Sequence, residues 1–142
     1  MERNATILIV DDNFGDVILM QEAMKILEIP YPILTAQSGN AALEILQQQP
    51  EAFKVVFLDL HLPGMAGIET LRRIRMLNRS QRLPVFMLSN GFCETELDQC
   101  TRYQADAIVE KPMDFEGLVQ VLSKVLENLE GAPFPFTPAK AS

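Results

Sequence analysis

Five short apolar runs, separated by amphipathic segments, constrain the fold of this chain more than any other feature of its sequence. A largely apolar run without polar alternation is typical of a strand that is buried on both faces. The runs are Ile7–Val10, Ile33–Ala36, Val55–Leu58, Val85–Leu88 and Ala107–Val109. Strands that alternate with helices predict a parallel sheet with helices on both faces, which is a doubly wound α/β fold.

Apolar residues recur at helical spacing between and after these runs, and they predict five helices. The helical segments are Val17–Leu27, Ala41–Leu46, Ile68–Arg75, Glu94–Tyr103 and Phe115–Leu129. Ser38 and Asn40 are both candidate caps for the second helix. Five strands and five helices fit a chain of 142 residues as one domain.

The charge balance narrows the classes of partner. The chain carries 19 acidic and 12 basic side chains, a formal net charge of -7. Because nucleic acids and anionic membranes attract basic surfaces, this charge argues against both partners. No apolar run approaches the roughly 20 residues of a membrane span. Met1–Asn4 run directly into a strand-like stretch, so we expect no secretory signal, and the expected location is the cytoplasm.

Polar side chains follow four of the five predicted strands near the point where each strand ends. They are Asp11 and Asp12 after the first, Asp59 after the third, Ser89 after the fourth and Lys111 near the end of the fifth. The carboxyl ends of parallel strands meet at one edge of a sheet, where such folds bind ligands. Three carboxylates this close need a compensating cation, and Mg²⁺ prefers oxygen ligands of this kind. A carboxylate nucleophile, a metal, an amine and a hydroxyl together favour phosphoryl transfer.

Each of these residues also has an ordinary structural explanation. An Asp after a strand usually caps a helix or faces solvent. Ser89 followed by Asn90 and Gly91 fits a plain turn, and Lys111 before Pro112 fits an edge lysine. The convergence of these residues on one sheet edge makes a functional site the better interpretation.

Four segments carry a resemblance to a known family: Ile7–Asn13, Leu58–Gly67, Leu88–Ser89 and Glu110–Pro112. Over Thr6–Leu129 the chain resembles the CheY-like receiver domain of two-component response regulators. The resemblance implies a flavodoxin-like fold, with a five-stranded parallel sheet in the order 2-1-3-4-5 and five flanking helices. It divides the chain into a receiver domain, residues 1–130, and a Pro-rich tail, residues 131–142, without an output domain.

The resemblance implies chemical roles at the strand ends. Asp59 is expected to be the nucleophile that accepts a phosphoryl group from a phosphohistidine of a sensor histidine kinase. Ser89 and Lys111 are expected to contact the phosphoryl oxygens, and the bond before Pro112 is expected to be cis. The chain would not be an enzyme for a separate substrate, because it would catalyse only its own phosphorylation and dephosphorylation.

The resemblance also implies a Mg²⁺ site. Asp12 is expected to bind the ion directly and Asp11 to support it through water. Asp59 and the backbone carbonyl of His61 are expected to complete the protein ligands, so the imidazole of His61 would not be one of them.

A narrower resemblance, over residues 12–23, is to stand-alone receivers that partner bacterial phytochrome-type kinases. Such a kinase is therefore the expected donor. Without an output domain, signalling is expected to pass through contacts with a downstream protein that the sequence does not name, or with a second copy in a homodimer. The alternative is a receiver-like scaffold or dimerisation module that works without phosphorylation. A small flavin-binding module of similar topology is a third interpretation.

Three positions depart from the family pattern or tune it. Ile108 stands where many receivers carry an aromatic switch residue. His61 and Gly91 occupy positions that often set the lifetime of the phosphoryl group, so we expect that lifetime to depend on His61. In the tail, Phe134 and Phe136 alternate with prolines, and we expect them to dock on the domain or on a second subunit.

Overall fold

The computed structural model describes residues 5–48, 53–77, 83–129 and 138–139. Its strands are β1 (Thr6–Val10), β2 (Ile33–Ala36), β3 (Phe53–Asp59), β4 (Val85–Ser89), β5 (Ala107–Glu110) and β6 (Pro138–Ala139). They form one sheet in the order β2-β1-β3-β4-β5-β6, and every neighbouring pair is parallel. All carboxyl ends therefore face the same edge of the sheet.

The helices are α1 (Phe14–Ile26), α2 (Gly39–Gln48), α3 (Gly67–Leu77), α4 (Glu94–Arg102) and α5 (Phe115–Leu129). Helix α1 begins earlier than predicted because the side chain of Asn13 accepts a hydrogen bond from the N–H of Asp16, at 3.0 Å. The hydroxyl of Ser38 accepts the N–H of Ala41 at 3.1 Å, so Ser38 caps α2 and Asn40 lies inside the helix. In the described part of the chain, no helix is long and apolar enough to cross a membrane.

The sheet separates two apolar layers. Leu8 and Val10 contribute to the layer that contains α2, α3 and α4, whereas Ile7 and Ile9 contribute to the layer that contains α1 and α5. All four side chains are fully buried. Because successive residues of a strand point to opposite faces, a strand covered on both faces must be apolar at every position. The apolar runs of β1, β3, β4 and β5 follow from this two-sided burial, whereas the edge strand β2 exposes Leu34 and Thr35.

The prediction of five parallel strands in the order 2-1-3-4-5 with five helices is confirmed. The structure adds the short strand β6 beside β5, with Pro138 opposite Ile108. An edge position suits Pro138, which has no N–H to donate to a neighbouring strand. Phe134, Phe136 and the boundary between domain and tail lie outside the described residues, so the docking of the tail aromatics stays a prediction.

Candidate functional site

Three carboxylates meet at the carboxyl edge of the sheet. Asp11 and Asp12 follow β1, and Asp59 ends β3, the strand that pairs with β1. Asp11 and Asp59 are buried and Asp12 is exposed, and one carboxylate oxygen from each lies within 4.8 Å of the others. Hard oxygen donors at this spacing, with one residue open to solvent, fit a Mg²⁺-sized cation that keeps part of its water shell. The structure brings together the three acidic residues that the sequence singled out.

The environment of Asp59 opposes its ionisation. Burial raises the pKa of Asp59 to about 6, against the pull of the positive charge of Lys111. The negative charge of Asp11 raises the pKa of Asp59 further, and a hydrogen bond from the backbone N–H of His61 lowers it. Additional positive charge at this edge would favour the carboxylate form of Asp59, which is the nucleophilic form.

Lys111 follows β5, and its ammonium group reaches the acidic cluster. Its Nζ donates to Oδ2 of Asp11 and to Oδ2 of Asp16, each at 3.1 Å, and lies 3.6 Å from Oδ1 of Asp59. Burial disfavours the charged amine, but the negative charges of Asp59 and Asp11 outweigh burial, and the pKa of Lys111 is raised. The half-buried ammonium group therefore stays charged and offsets part of the repulsion among the acids.

Ser89 ends β4, and its buried hydroxyl is engaged within its own turn. The hydroxyl donates to the carbonyl of Gly91 at 2.6 Å and accepts from the N–H of Gly91 at 3.2 Å. The carbonyl of Ser89 accepts the N–H of Lys111 at 2.7 Å, which joins β4 to the segment after β5. To contact a group bound on Asp59, the hydroxyl of Ser89 has to exchange its hydrogen bond with Gly91.

His61, in the loop after β3, connects this edge to α4. Its Nε2 lies 3.2 Å from Oε2 of Glu96, and its Nδ1 lies 3.5 Å from the hydroxyl oxygen of Ser89. The other carboxylate oxygen of Glu96 accepts the N–H of Cys93 at 2.9 Å and so caps α4. Glu96 is a residue that sequence reasoning misses, although its position three residues after the cap is a capping-box signal. Metal binding by the carbonyl of His61 stays a prediction.

Glycines shape the loop that carries Asp59 into α3. Gly64 has φ +72°, in the left-handed region that favours glycine. A Cβ atom on Gly67 would overlap the carbonyl oxygen of Asp59 and lie 2.7 Å from the Cα and carbonyl oxygen of Leu60. The N–H of Gly67 donates to the carbonyl of Leu60 at 2.9 Å. Only glycine therefore lets α3 begin this close to the end of β3.

The structure differs from expectation in two further details. Asp16 fits the sequence pattern of an ordinary helix residue, yet its carboxylate binds Lys111. The signal in the sequence is the cap at Asn13, because it places Asp16 in the first turn of α1, shortly after Asp11 and Asp12.

The Lys111–Pro112 bond is trans, so the cis expectation is wrong. Trans is the default for a bond before proline, by about 0.5–1 kcal/mol.

Comparison with known proteins identifies the family of this chain. A family model described as the response regulator receiver domain matches residues 7–123. The chain belongs to this family. It is a CheY-like receiver domain of two-component response regulators, as the sequence motifs predicted. Receiver domains of this type are signalling domains that partner with histidine kinases and bind a divalent metal.

Individual relatives support this placement. The crystal structure of the phosphorylated cyanobacterial phytochrome response regulator RcpA has a TM-score of 0.81 at 26% identity, over 93% of this chain and 99% of that chain. The Mn²⁺-bound form of the response regulator Rcp1 has a TM-score of 0.76 at 28% identity, over 92% and 99%. The two-component response regulator ARR17 of Arabidopsis thaliana is 29% identical, over 80% of this chain and 79% of its own length. The chain spans only a small part of its larger relatives: it covers 14% of the length of a probable histidine kinase 6 of Oryza sativa subsp. japonica.

Proposed function

We propose that this receiver accepts a phosphoryl group onto Asp59 from a phosphohistidine of a sensor histidine kinase, and that it signals through protein–protein contacts. The placement of Asp59 carries the proposal, since the residue ends a buried strand beside Asp11, Asp12 and the ammonium group of Lys111. A buried carboxylate whose charged form depends on nearby positive charge is suited to attack on phosphorus. The chain is then not an enzyme for a separate substrate, because it promotes only its own phosphorylation and dephosphorylation.

The transfer step is a displacement at phosphorus. A carboxylate oxygen of Asp59 forms the new P–O bond, while the P–N bond to the donor imidazole breaks and leaves its electron pair on the imidazole nitrogen. Lys111 offers its ammonium group to one phosphoryl oxygen, and Ser89 offers its hydroxyl to another. Both groups stabilise negative charge on the phosphoryl oxygens, so both favour the transition state and the acyl phosphate that follows.

Mg²⁺ is the ion that we propose for the acidic cluster. Asp12 would bind it directly, Asp11 would support it through water, and Asp59 and the carbonyl of His61 would complete the protein ligands. When bound, the ion supplies positive charge that offsets the charge of the phosphoryl oxygens. The hard oxygen donors of the cluster and the related structure described as Mn²⁺-bound Rcp1 both support a divalent ion here.

A phytochrome-type kinase is the donor that we propose. Support comes from the sequence pattern of residues 12–23 and from the likeness to a structure described as a cyanobacterial phytochrome response regulator. Transfer then takes place in the cytoplasm, and the phosphorylated receiver acts on a downstream protein or as a homodimer.

Phosphorylation by a small-molecule donor tests the proposal. Purified protein is incubated with acetyl phosphate and Mg²⁺, and intact mass spectrometry follows the gain of one phosphoryl group. Wild type and the matched control Asp98→Asn, an exposed acid of α4, should gain the group, whereas Asp59→Asn should not. An unmodified wild type, or equal modification of Asp59→Asn, would contradict the proposal.

The scaffold alternative is favoured by one observation: Ile108 is packed in the core where many receivers carry a mobile aromatic ring. The two functions differ in what Asp59→Asn does in cells. A phosphorylation-independent scaffold keeps its partners and its signalling output in that variant, whereas a phosphorylated switch loses the stimulus-dependent part of its output.

A further inference from the structure

Asp16, in the first turn of α1, contacts Lys111, whose ammonium group also faces the strand-end acids Asp11 and Asp59. Its backbone N–H is fixed by the side-chain oxygen of Asn13, and its carboxylate lies 3.1 Å from Nζ of Lys111. The same nitrogen lies 3.1 Å from Asp11 and 3.6 Å from Asp59. The ammonium group therefore makes hydrogen bonds to Asp11 and Asp16, and its interaction with Asp59 is Coulombic only.

We propose that Asp16 is a positioning residue, which holds the ammonium group of Lys111 away from Asp59 and competes with the phosphoryl group for it. This inference rests on the proposed function, because it assigns a regulator of the same phosphoryl site. A phosphoryl group on Asp59 adds negative charge and acceptor oxygens, and these attract the same ammonium group.

Burial decides which carboxylate gives up Lys111. The side chain of Asp11 is completely buried, so losing its cation would leave an uncompensated charge in the interior. The side chain of Asp16 is 38% exposed, so water can solvate its carboxylate once Lys111 leaves. Asp16 is therefore the partner that is released when Lys111 turns to the phosphoryl group.

The ion pair between Asp16 and Lys111 also links two parts of the fold. Asp16 and Lys111 line one cleft between α1 and α5, together with Leu19, Met113 and Leu118. Their ion pair ties the first turn of α1 to the segment that follows β5. Release of Asp16 on phosphorylation removes this tie, while the apolar contacts between α1 and α5 remain.

The affinity for beryllofluoride, a phosphoryl mimic, tests the proposal. ¹⁹F NMR in the presence of Mg²⁺ measures the bound fraction for wild type, Asp16→Asn and the matched control Glu22→Gln, an exposed acid farther along α1. Removal of the competitor should tighten binding by about threefold to tenfold in Asp16→Asn. Glu22→Gln should bind like wild type, since it loses the same charge without a contact to Lys111. Equal affinities for Asp16→Asn and wild type would overturn the proposal.

Two further measurements show whether Asp16 acts through Lys111. In free protein, Asp16→Asn should move the ¹⁵N signal of the Lys111 ammonium group toward its position in the beryllofluoride complex, and Glu22→Gln should not move it. In a Lys111→Met background, Asp16→Asn should give no gain in beryllofluoride affinity. A signal that stays in place, or an equal gain without Lys111, would reject a role through Lys111.

The failures of the two proposals are distinguishable. If wild type binds beryllofluoride in a manner that Asp59→Asn abolishes, yet Asp16→Asn changes nothing, the inference about Asp16 is wrong and the proposed function stands. If wild type shows no binding that depends on Asp59, the proposed function is wrong and the inference falls with it.

Discussion

The ammonium nitrogen of Lys111 lies 3.6 Å from Oδ1 of Asp59, too far for a hydrogen bond but close enough for Coulombic attraction. The hydrogen bonds of Lys111 go instead to Asp11 and Asp16. Asp59 thus has a raised pKa, and the nearby ammonium group of Lys111 attracts it without donating a hydrogen bond to it. This arrangement disfavours the charged form of Asp59 in the free protein, and it makes the nucleophile sensitive to any added positive charge.

Replacement of Asp59 by Asn should therefore stabilise the protein at pH 7 in the presence of a chelator. The variant removes a buried carboxylate that repels Asp11, and the raised pKa of Asp59 corresponds to a gain of about 1–3 kcal/mol in the free energy of unfolding. Urea denaturation in EDTA measures the change, with the exposed Asp98→Asn as control. In Mg²⁺ the gain should shrink, because only wild type keeps the full ligand set. A variant less stable than wild type in EDTA would show that attraction by Lys111 outweighs burial.

Gly67→Ala should destabilise the fold and distort the acceptor. The added Cβ would overlap the carbonyl oxygen of Asp59, and backbone at the end of β3 cannot yield as a flexible side chain can. We expect a loss of about 2–3 kcal/mol, as for overpacking in a core, together with slower phosphorylation by acetyl phosphate. For stability, Gly91→Ala is the matched control, since nothing lies within 4 Å of its Cβ. Equal unfolding midpoints for the two variants would count against this packing argument.

Glu69→Gln should lower stability at neutral pH but not at acidic pH. Glu69 accepts hydrogen bonds from Arg72 at 2.7 Å and from Arg73 at 2.8 Å, and these bonds lower the pKa of Glu69 to about 2. Since the pKa is lower in the folded than in the unfolded state, the ionised carboxylate stabilises the fold. This contribution is complete above about pH 4.5 and is lost as the pH falls toward 2.

Thermal unfolding across that range checks the Glu69 prediction. The decrease in Tm caused by Glu69→Gln should be small, as is usual for exposed ion pairs, and should shrink between pH 5 and pH 3. Glu44→Gln provides the control, because among the described residues no ion pair involves this exposed helix acid. A Tm difference that is constant with pH would contradict the assigned role of the carboxylate charge.

The strand-end residues could be predicted because two simple rules place them. Apolar runs such as Val55–Leu58 mark buried strands, and parallel strands end at a common edge, so Asp59 and Asp11 had to be neighbours. Asp16 could not be found this way, because its contact depends on how a helix side chain reaches Lys111, 95 residues along the chain. The pairing of β6 with β5 could not be predicted either, because two residues after a proline-rich stretch carry no strand pattern.

His61→Ala should shorten the lifetime of the aspartyl phosphate. The His61 side chain is 66% exposed, and its imidazole lies between Ser89 and α4, 3.5 Å from the hydroxyl of Ser89 and 3.2 Å from the carboxylate of Glu96. Loss of the ring opens the space between Ser89 and α4 to water, and we expect roughly twofold to tenfold faster hydrolysis. Glu96→Gln keeps the size of the side chain but weakens its hold on the ring, so it should give a smaller acceleration. Decay of the phosphorylated protein after removal of acetyl phosphate gives the rates; a slower decay in His61→Ala would identify the ring as a base that activates water, and an unchanged rate would deny it any role.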